Sequence, residues 1–302
     1  MGRPFYTLDV FTETALAGNP LAVVMDAEGL NTARMQAIAR EFNLSETVFV
    51  LPARDPVNAA RLRIFTPFVE LPFAGHPTIG AAALIGQLRA ADLMAREDLG
   101  LVLEEEAGAI SCTVRHVKGR APQASFLLPR LPQVIDEHLS IQGLAAALSL
   151  APEDIGFDGH RPGLWSAGVG FTLVPIKSLD AVARARPSLE HWDAIAPLDQ
   201  PKAFLYTNDV RREGVHIHAR VFAPTLGVPE DPATGSAVAA FAGAAVAFER
   251  PEDGEHSILI EQGEEMGRPS LIRLTMDVEA GALVSASISG FVVRILQGSI
   301  EL

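Results

Sequence analysis

The sequence has little cysteine: one residue, Cys112, among 302. A single cysteine excludes an intramolecular disulfide, a zinc cluster built from cysteines and every mechanism that needs two thiols acting as a pair. The N-terminal sequence MGRPFYTLDVF has no apolar segment followed by a small-residue cleavage site, and no run of about 18 apolar residues is free of proline, glycine or charge. We therefore expect a cytoplasmic protein without an export signal or a membrane span.

Basic residues are also few, since 24 Lys and Arg stand against 37 Asp and Glu, for a net charge of −13. Over most of its surface such a chain repels phosphate backbones and anionic membranes, so we expect neither nucleic acid nor membrane as a partner. The sequence is 48% hydrophobic, which is ample for sizeable cores. Its length is near twice the domain mode of about 150 residues and favours two domains.

The chain contains an internal repeat. Residues 63–82 read RIFTPFVELPFAGHPTIGAA and residues 220–237 read RVFAPTLGVPEDPATGSA. Weaker similarities keep the same order, because residues 17–24 match 167–174 and residues 45–51 match 201–207, which places Glu46 opposite Lys202. Three collinear matches indicate two homologous halves. With one gap of two residues, the coincident pairs are Arg63/Arg220, Phe65/Phe222, Pro67/Pro224, Pro77/Pro232, Gly80/Gly235 and Ala82/Ala237.

Each half mixes short β-branched runs with few helical stretches, which predicts an α+β fold. Residues 31–42 form an amphipathic pattern, and the alanine-rich runs 78–89 and 234–248 are apolar nearly all round, as helices buried on every side are. The implied architecture is a set of strands around one buried helix, made twice. The strand runs are Leu21–Met25, Val48–Leu51, Arg61–Phe65, Phe171–Ile176, Ala203–Thr207 and His216–Phe222.

We place the N-terminal half at residues 1–122 and the C-terminal half at 123–285, with a last strand at about 286–302 crossing back to the first half. The segment 118–132 carries Gly119 and three prolines and is the predicted crossover.

The starts of the two alanine-rich runs suggest a ligand site. His76 precedes Pro77 and Asp231 precedes Pro232, and proline suits the first turn of a helix. Taken singly, Asp231 is explained by an N-cap and His76 by a loop. However, glycines flank both (Gly75, Gly80 and Gly235), and they leave the backbone N–H groups of two helix starts uncovered. We expect a small anion there, in one cleft if the halves pack as a pseudo-dimer.

Glu46 lies in the sequence NLSETVFV, where the helix of residues 31–42 has ended and a strand begins. A glutamate at a loop edge is often solvated. Beside Val48 and Phe49, its carboxylate could instead be desolvated, with its pKa raised into the range of a general acid or base.

In order along the chain, DVF, GNPLAVV, NLSETVFV, ELPFAGHPT, GVPEDPATGSA and QGEEMGRPS resemble the PhzF family of phenazine-biosynthesis-like isomerases, within the diaminopimelate-epimerase fold. These motifs run from residue 9 to 270. The resemblance implies two pseudo-symmetric domains, each a β-barrel-like sheet around a central helix, a cofactor-free active site in the cleft between them and a homodimer.

The resemblance also implies that a glutamate moves a proton between carbons of a small cyclic or unsaturated carboxylate. Glu46 matches that glutamate, His76 and Asp231 match the pair assisting it, and Gly75, Gly235 and Ser236 match the groups that hold the substrate carboxylate. Related racemases place two cysteines at these helix starts, and their absence here excludes a two-thiol reaction.

Other interpretations remain open at this stage. Ser236 with His76 and Asp231 suggests a hydrolase triad, although TGSA is not a nucleophile elbow. A catalytically silent protein could use the same residues to hold a small acid. His216 and His218 share a strand face as metal ligands can, but we expect no carboxylate with them and no metal. The run 104–106, three glutamates, is interpreted as a solvated turn or strand edge.

Overall fold

The computed structural model describes residues 2–195 and 201–301. The chain forms two compact units, the first comprising Met1–Pro129 with Ser289–Leu302 and the second comprising Arg130–Ile288. Within the described residues, every helix is too short or too polar to cross a bilayer.

Among its described residues, the first unit contains eight strands and three helices before the final strand returns to it. They are β1 (Arg3–Val10), β2 (Asn19–Val24), α1 (Thr32–Phe42), β3 (Glu46–Leu51), β4 (Ala60–Phe65), β5 (Glu70–Leu71), α2 (Gly75–Arg89), α3 (Ala91–Met94), β6 (Leu99–Glu105), β7 (Gly108–Arg115) and β8 (Gln123–Leu127).

The second unit follows with β9 (Gln133–Asp136), α4 (Ile141–Leu148), β10 (Gly163–Ser166), β11 (Gly170–Pro175), α5 (Leu179–Arg184), β12 (Ala203–Thr207), β13 (Ile217–Ala223), β14 (Val228–Asp231), α6 (Gly235–Glu249), β15 (Gly254–Gln262) and β16 (Ser270–Glu279). The last strand, β17 (Ala282–Ile300), begins in the second unit and ends in the first.

In the first unit the strands close into a ring. β1 pairs antiparallel with β2, β2 parallel with β3, and β3 antiparallel with β4. β4 is parallel to β6, which continues antiparallel through β7 to β8, and β17 pairs with both β8 and β1. Closure joins the first strand of the ring to the last and creates an interior that side chains must fill.

Helix α2 fills that interior, because it contacts β1, β2, β3, β6, β7 and β8. Its residues from Gly75 to Gly86 are all buried. Gly80 permits the closest approach: a Cβ there would lie 2.5 Å from Leu21 Cδ2 and 3.0 Å from Val10 Cγ2. The sequence prediction of a helix buried on every side is confirmed for residues 78–86 of the run 78–89, whereas Leu88 and Arg89 at its end are exposed.

The second unit is built on a sheet that runs from β9 through β10, β11, β12, β13 and β15 to β16. Neighbouring strands within this sheet are antiparallel, except for the parallel pairs β11 with β12 and β13 with β15. Helix α6 contacts β9, β10, β11 and β16. Most of α6 is buried, including all of Ala237–Ala242, which confirms the second buried-helix prediction. Helices α4 and α5 pack a separate apolar cluster around Trp192.

The segment 118–132 is more than a crossover. It contains β8, which pairs with β7 and with β17 and so belongs to the closed sheet of the first unit. Its prolines flank the strand rather than interrupt it, as strands require.

Candidate functional site

Glu46 is the first residue of β3, at the position expected from the sequence. Helix α1 ends at Phe42, Asn43 adopts a left-handed conformation at φ 50°, and the chain then enters β3 beside Leu21 of β2. The Glu46 side chain is 17% exposed. Its carboxylate is therefore largely shielded from solvent, while the apolar residues that follow it hold the strand in the core.

His76 meets this carboxylate from the start of α2. Its Nε2 atom lies 3.3 Å from Oε2 of Glu46, and the His76 side chain is 6% exposed. Burial lowers the pKa of His76 to about 3, so the imidazole is neutral at ordinary pH. The pair is thus a carboxyl group beside a neutral imidazole that can donate or accept a hydrogen bond according to its tautomer.

Neither long buried helix begins with a side-chain cap among the residues that the structure describes. The N-cap residues are Ala74 for α2 and Thr234 for α6, and neither makes a side-chain capping bond. Pro77 lies in the first turn of α2, as predicted, whereas His76 is the second residue of the helix and not part of a loop before it. The first-turn prediction is wrong for Pro232, and the N-cap alternative is wrong for Asp231, because α6 begins only at Gly235. Asp231 instead ends β14.

The turn between Asp231 and α6 is held by Gln262, a fully buried residue at the end of β15. Its Oε1 accepts from the Thr234 N–H at 3.0 Å, and its Nε2 donates to the Asp231 carbonyl at 2.6 Å and to Thr234 Oγ1 at 3.0 Å. Thr234 Oγ1 in turn donates to Oδ2 of Asp231. The candidate carboxylate is therefore fixed by a residue 31 positions away.

The glycine after Gln262 is required by the same turn. Gly263 has φ +81°, and a Cβ there would lie 2.7 Å from the Pro232 carbonyl oxygen. The first two residues of the QGEEMGRPS motif therefore contact the EDPAT turn and hold its conformation.

Two arginines repeat one arrangement in the two units. Arg63 donates from Nε and Nη2 to Glu70 at 2.6 and 2.5 Å, and Arg220 donates from the same atoms to Glu230 at 2.7 and 2.8 Å. Both glutamates lie on the short strands just before the two candidate segments. These bidentate pairs fix the approach to His76 and to Asp231.

The expectation that no carboxylate accompanies His218 is wrong. Its Nδ1 lies 2.9 Å from Glu261 Oε1 and its Nε2 lies 3.0 Å from Glu265 Oε1. Burial alone would lower its pKa, but the two carboxylates outweigh burial and raise the pKa to about 9. His216 instead accepts from the Leu259 N–H at 3.1 Å. Within the described ranges, no three His, Cys, Asp or Glu side chains are grouped as a metal site requires.

The interpretation of residues 104–106 as solvated is wrong for the middle glutamate. Glu105 is buried at the end of β6, and its Oε1 lies 2.7 Å from Thr78 Oγ1 in the first turn of α2. Burial raises the pKa of Glu105 to about 8, against the opposing effect of the Thr78 contact. Glu104 points the other way and accepts from the N–H groups of Arg54 and Asp55 at 2.9 and 2.8 Å.

The chain is similar to known proteins along nearly its whole length. The family model described as phenazine biosynthesis-like protein, PhzC-PhzF, matches residues 8–298. This chain belongs to the PhzC-PhzF family. A protein of Mesorhizobium japonicum named an uncharacterized isomerase is 47% identical over 303 residues, covering 99% of this chain and 98% of its own length.

Two further family members are similar to this chain over nearly its whole length. A trans-2,3-dihydro-3-hydroxyanthranilate isomerase of Pseudomonas aeruginosa is 38% identical over 285 residues and covers 93% of each chain. The crystal structure of a PhzF-family phenazine biosynthesis protein from Bacillus anthracis superposes with a TM-score of 0.86 at 27% identity, covering both chains completely. The family resemblance drawn from the sequence motifs is confirmed.

The structure divides the predicted site residues by unit: Gly75, His76 and Glu46 lie in the first, and Asp231, Gly235 and Ser236 in the second. It joins Glu46 to His76 directly. The sequence analysis gave no functional role to Thr78, Glu105 or Gln262. The internal repeat would have pointed to the last two had it been extended into the strands after each helix.

Proposed function

We propose that this protein is an isomerase that moves a proton between two carbons of a small cyclic or unsaturated carboxylate, with Glu46 as the proton carrier. The observation that carries the proposal is the pair of Glu46 Oε2 and His76 Nε2, 3.3 Å apart at the uncapped start of α2. The names of the relatives support the reaction class.

The chemistry follows from the charge states. The Glu46 carboxylate removes a proton from one carbon, and the C–H electron pair is delocalised into the unsaturated system of the substrate. The resulting carboxylic acid returns the proton to another carbon, so that substrate and product contain the same atoms and no oxidant is needed. His76 stays neutral, so it orients the Glu46 carboxyl group by a hydrogen bond. It does not form an ion pair with Glu46, in which the proton would stay on the imidazole.

We assign binding of the substrate carboxylate to the starts of helices α2 and α6. The first N–H groups of α2 and α6 carry partial positive charge and have no side-chain cap within the described residues. We assign carboxylate binding to Gly75, Gly235 and Ser236, and an assisting role to Asp231, on the family resemblance. The pinned turn that carries Asp231 supports a fixed position for that carboxylate.

The finer architecture belongs to the same proposal. We propose that the units are pseudo-symmetric barrels of the diaminopimelate-epimerase type and that the protein is a cytoplasmic homodimer working without metal or organic cofactor. The repeated Arg–Glu pairs and two central helices of 15 residues each support the symmetry. Sedimentation equilibrium tests the dimer, and activity after exhaustive chelation tests the independence from metal.

The decisive variant is Glu46→Gln, which keeps shape and hydrogen bonding but cannot carry a proton. With trans-2,3-dihydro-3-hydroxyanthranilate, the substrate named for the P. aeruginosa relative, we expect kcat to fall ~10³-fold while affinity changes only a few-fold. Glu41→Gln, at an exposed carboxylate near the end of α1, is the matched control and should retain full activity. Full turnover by Glu46→Gln would remove the residue from this role.

The alternatives give different results. Binding of dihydroaromatic acids without conversion by the unaltered protein would favour a silent carboxylate-binding protein. Ester hydrolysis that survives Glu46→Gln and is lost in Ser236→Ala would favour the hydrolase.

A further inference from the structure

The hydrogen bonds around Thr78 contain one donor too few if Glu105 is ionised. Thr78 Oγ1 lies 2.8 Å from the Ala74 carbonyl oxygen and 2.7 Å from Glu105 Oε1. A hydroxyl group has one proton, and a carbonyl and a carboxylate can only accept. Both short contacts are satisfied when Thr78 donates to Ala74 and a protonated Glu105 donates to Thr78.

The second unit has a neutral residue at the matching position. With Arg63 aligned to Arg220, the parallel pair Arg61 with Glu104 in β4 and β6 matches His218 with Glu261 in β13 and β15. The next residue on each strand is then Glu105 in the first unit and Gln262 in the second.

Gln262 also bonds a threonine at the start of the central helix of its unit, and it does so with an amide that both donates and accepts. A protonated carboxyl group has nearly the shape of that amide and, like it, both donates and accepts, although it has one donor hydrogen where the amide has two. The repeat thus supports a neutral Glu105 independently of the proton count at Thr78.

Among the residues that the structure describes, no positive charge offsets the effect of burial on the pKa of Glu105. The thiol of Cys112 on β7 interacts electrostatically with Glu105, and burial raises the pKa of that thiol. Arg63 is paired with Glu70, and His76 is neutral. The ionisable side chains on the elements packed against β6 are Arg61 and Arg63 on β4, His76 and Arg89 on α2, and Cys112 and Arg115 on β7.

We propose that Glu105 is a neutral carboxylic acid at physiological pH and acts as a positioning residue, donating to Thr78 and so fixing the helix turn that presents His76. The protonation state stands on the geometry of the first unit alone. The part that this position plays in catalysis, through His76, rests on the proposed isomerase function.

A neutral Glu105 makes the first unit less stable as the pH rises. The folded protein retains the proton of Glu105 to a higher pH than the unfolded chain does, so stability falls between about pH 4.5 and about pH 8 and levels off above. Glu105→Gln, which copies the residue of the second unit, should remove this dependence.

Cys112 provides the assay, because it is the single cysteine and is buried in the first unit. Its alkylation rate by iodoacetamide, divided by the rate in denatured protein at the same pH, reports opening of that unit. We expect the ratio of wild-type to Glu105→Gln labelling to rise ~10-fold per pH unit between pH 5.5 and 7.5. The infrared difference spectrum of the two proteins at pH 7 should contain the carbonyl band of a protonated carboxylic acid.

Glu104→Gln is the matched control. Hydrogen bonds from Asn58 and from the backbone of Asp55 and Arg54 lower the pKa of Glu104 to about 2, so its change to glutamine should remove no protonated-acid band. A pH-independent labelling ratio, a missing infrared band, or a Glu105→Gln chain that fails to fold would each overturn the proposal. If the labelling and infrared results hold but no isomerase activity is found, the proposed function fails and the neutral acid stands.

Discussion

Histidine 218 gives the second unit a pH dependence whose size follows from its contacts. The imidazole is 3% exposed and lies between the carboxylates of Glu261 and Glu265, at 2.9 and 3.0 Å. Its pKa is about 9 in the folded protein against an ordinary value of 6.5. At 1.36 kcal/mol per tenfold change in proton affinity, this difference corresponds to about 3 kcal/mol.

The sign follows from which state binds the proton more tightly. Because the folded protein does, the stabilisation is fully present below pH 6.5, declines as pH rises from 6.5 to 9, and is lost above. His218→Asn keeps a polar side chain but takes up no proton. The free energy of unfolding of wild type minus that of His218→Asn should therefore fall by about 3 kcal/mol from pH 6 to pH 10.

Tryptophan fluorescence during urea unfolding is the suitable measurement, because both tryptophans, Trp165 and Trp192, belong to the second unit. The difference between wild type and His218→Asn, compared at pH 6 and at pH 10, cancels the contribution of Glu105 in the first unit, because both proteins contain Glu105. His138→Asn, at an exposed histidine of the same unit, is the control and should leave the profile unchanged. A wild-type-minus-variant difference that stays constant within 0.5 kcal/mol, roughly the resolution of such measurements, would refute the assignment of a charged His218.

Two further predictions concern the supports of the candidate site. Gln262→Leu leaves the Thr234 N–H and the Asp231 carbonyl without their hydrogen-bond partner. At about 1 to 3 kcal/mol for each such group, we expect the free energy of unfolding to fall by about 2 to 6 kcal/mol, measured by tryptophan fluorescence. Gln142→Leu, at an exposed glutamine, is the control and should cause no loss. Arg220→Met leaves the Glu230 carboxylate without its partner at a position where the arginine side chain is only 4% exposed, and it should lower the free energy of unfolding by about 3 to 5 kcal/mol. The Arg63 side chain is 23% exposed, so Arg63→Met should lower it by only about 1 to 2 kcal/mol, both measured by circular dichroism. Equal losses would contradict this dependence on burial.

Local pattern was sufficient for the elements that carry the site. The apolar periodicity of residues 31–42 predicted α1, and the structure adds the Asn31 cap that starts it. The alanine-rich runs predicted α2 and α6 because a helix apolar on every side must be buried. Glu46 was placed at a strand start, and the structure puts it on the first residue of β3.

Long-range pairing was beyond local pattern. Three consecutive glutamates suggest solvent, yet the alternation of β6 turns Glu105 inward, where Thr78 and the closed sheet surround it. Asp231 followed by proline suggests a helix cap, yet Gln262 takes the Thr234 N–H and delays the helix to Gly235. His218 gained its charge from carboxylates on β15 and the turn after it, 43 and 47 residues later.

The proton transfer assigned to Glu46 is tested most directly by conversion in D₂O. Deuterium from solvent should appear at the newly protonated carbon of the product to the extent that the Glu46 acid exchanges before it returns the proton. In Glu46→Gln, conversion and incorporation should vanish together while ligand binding persists. Conversion and incorporation that continue in Glu46→Gln, and disappear instead in Asp231→Asn, would show that Asp231 carries the proton and would contradict the account.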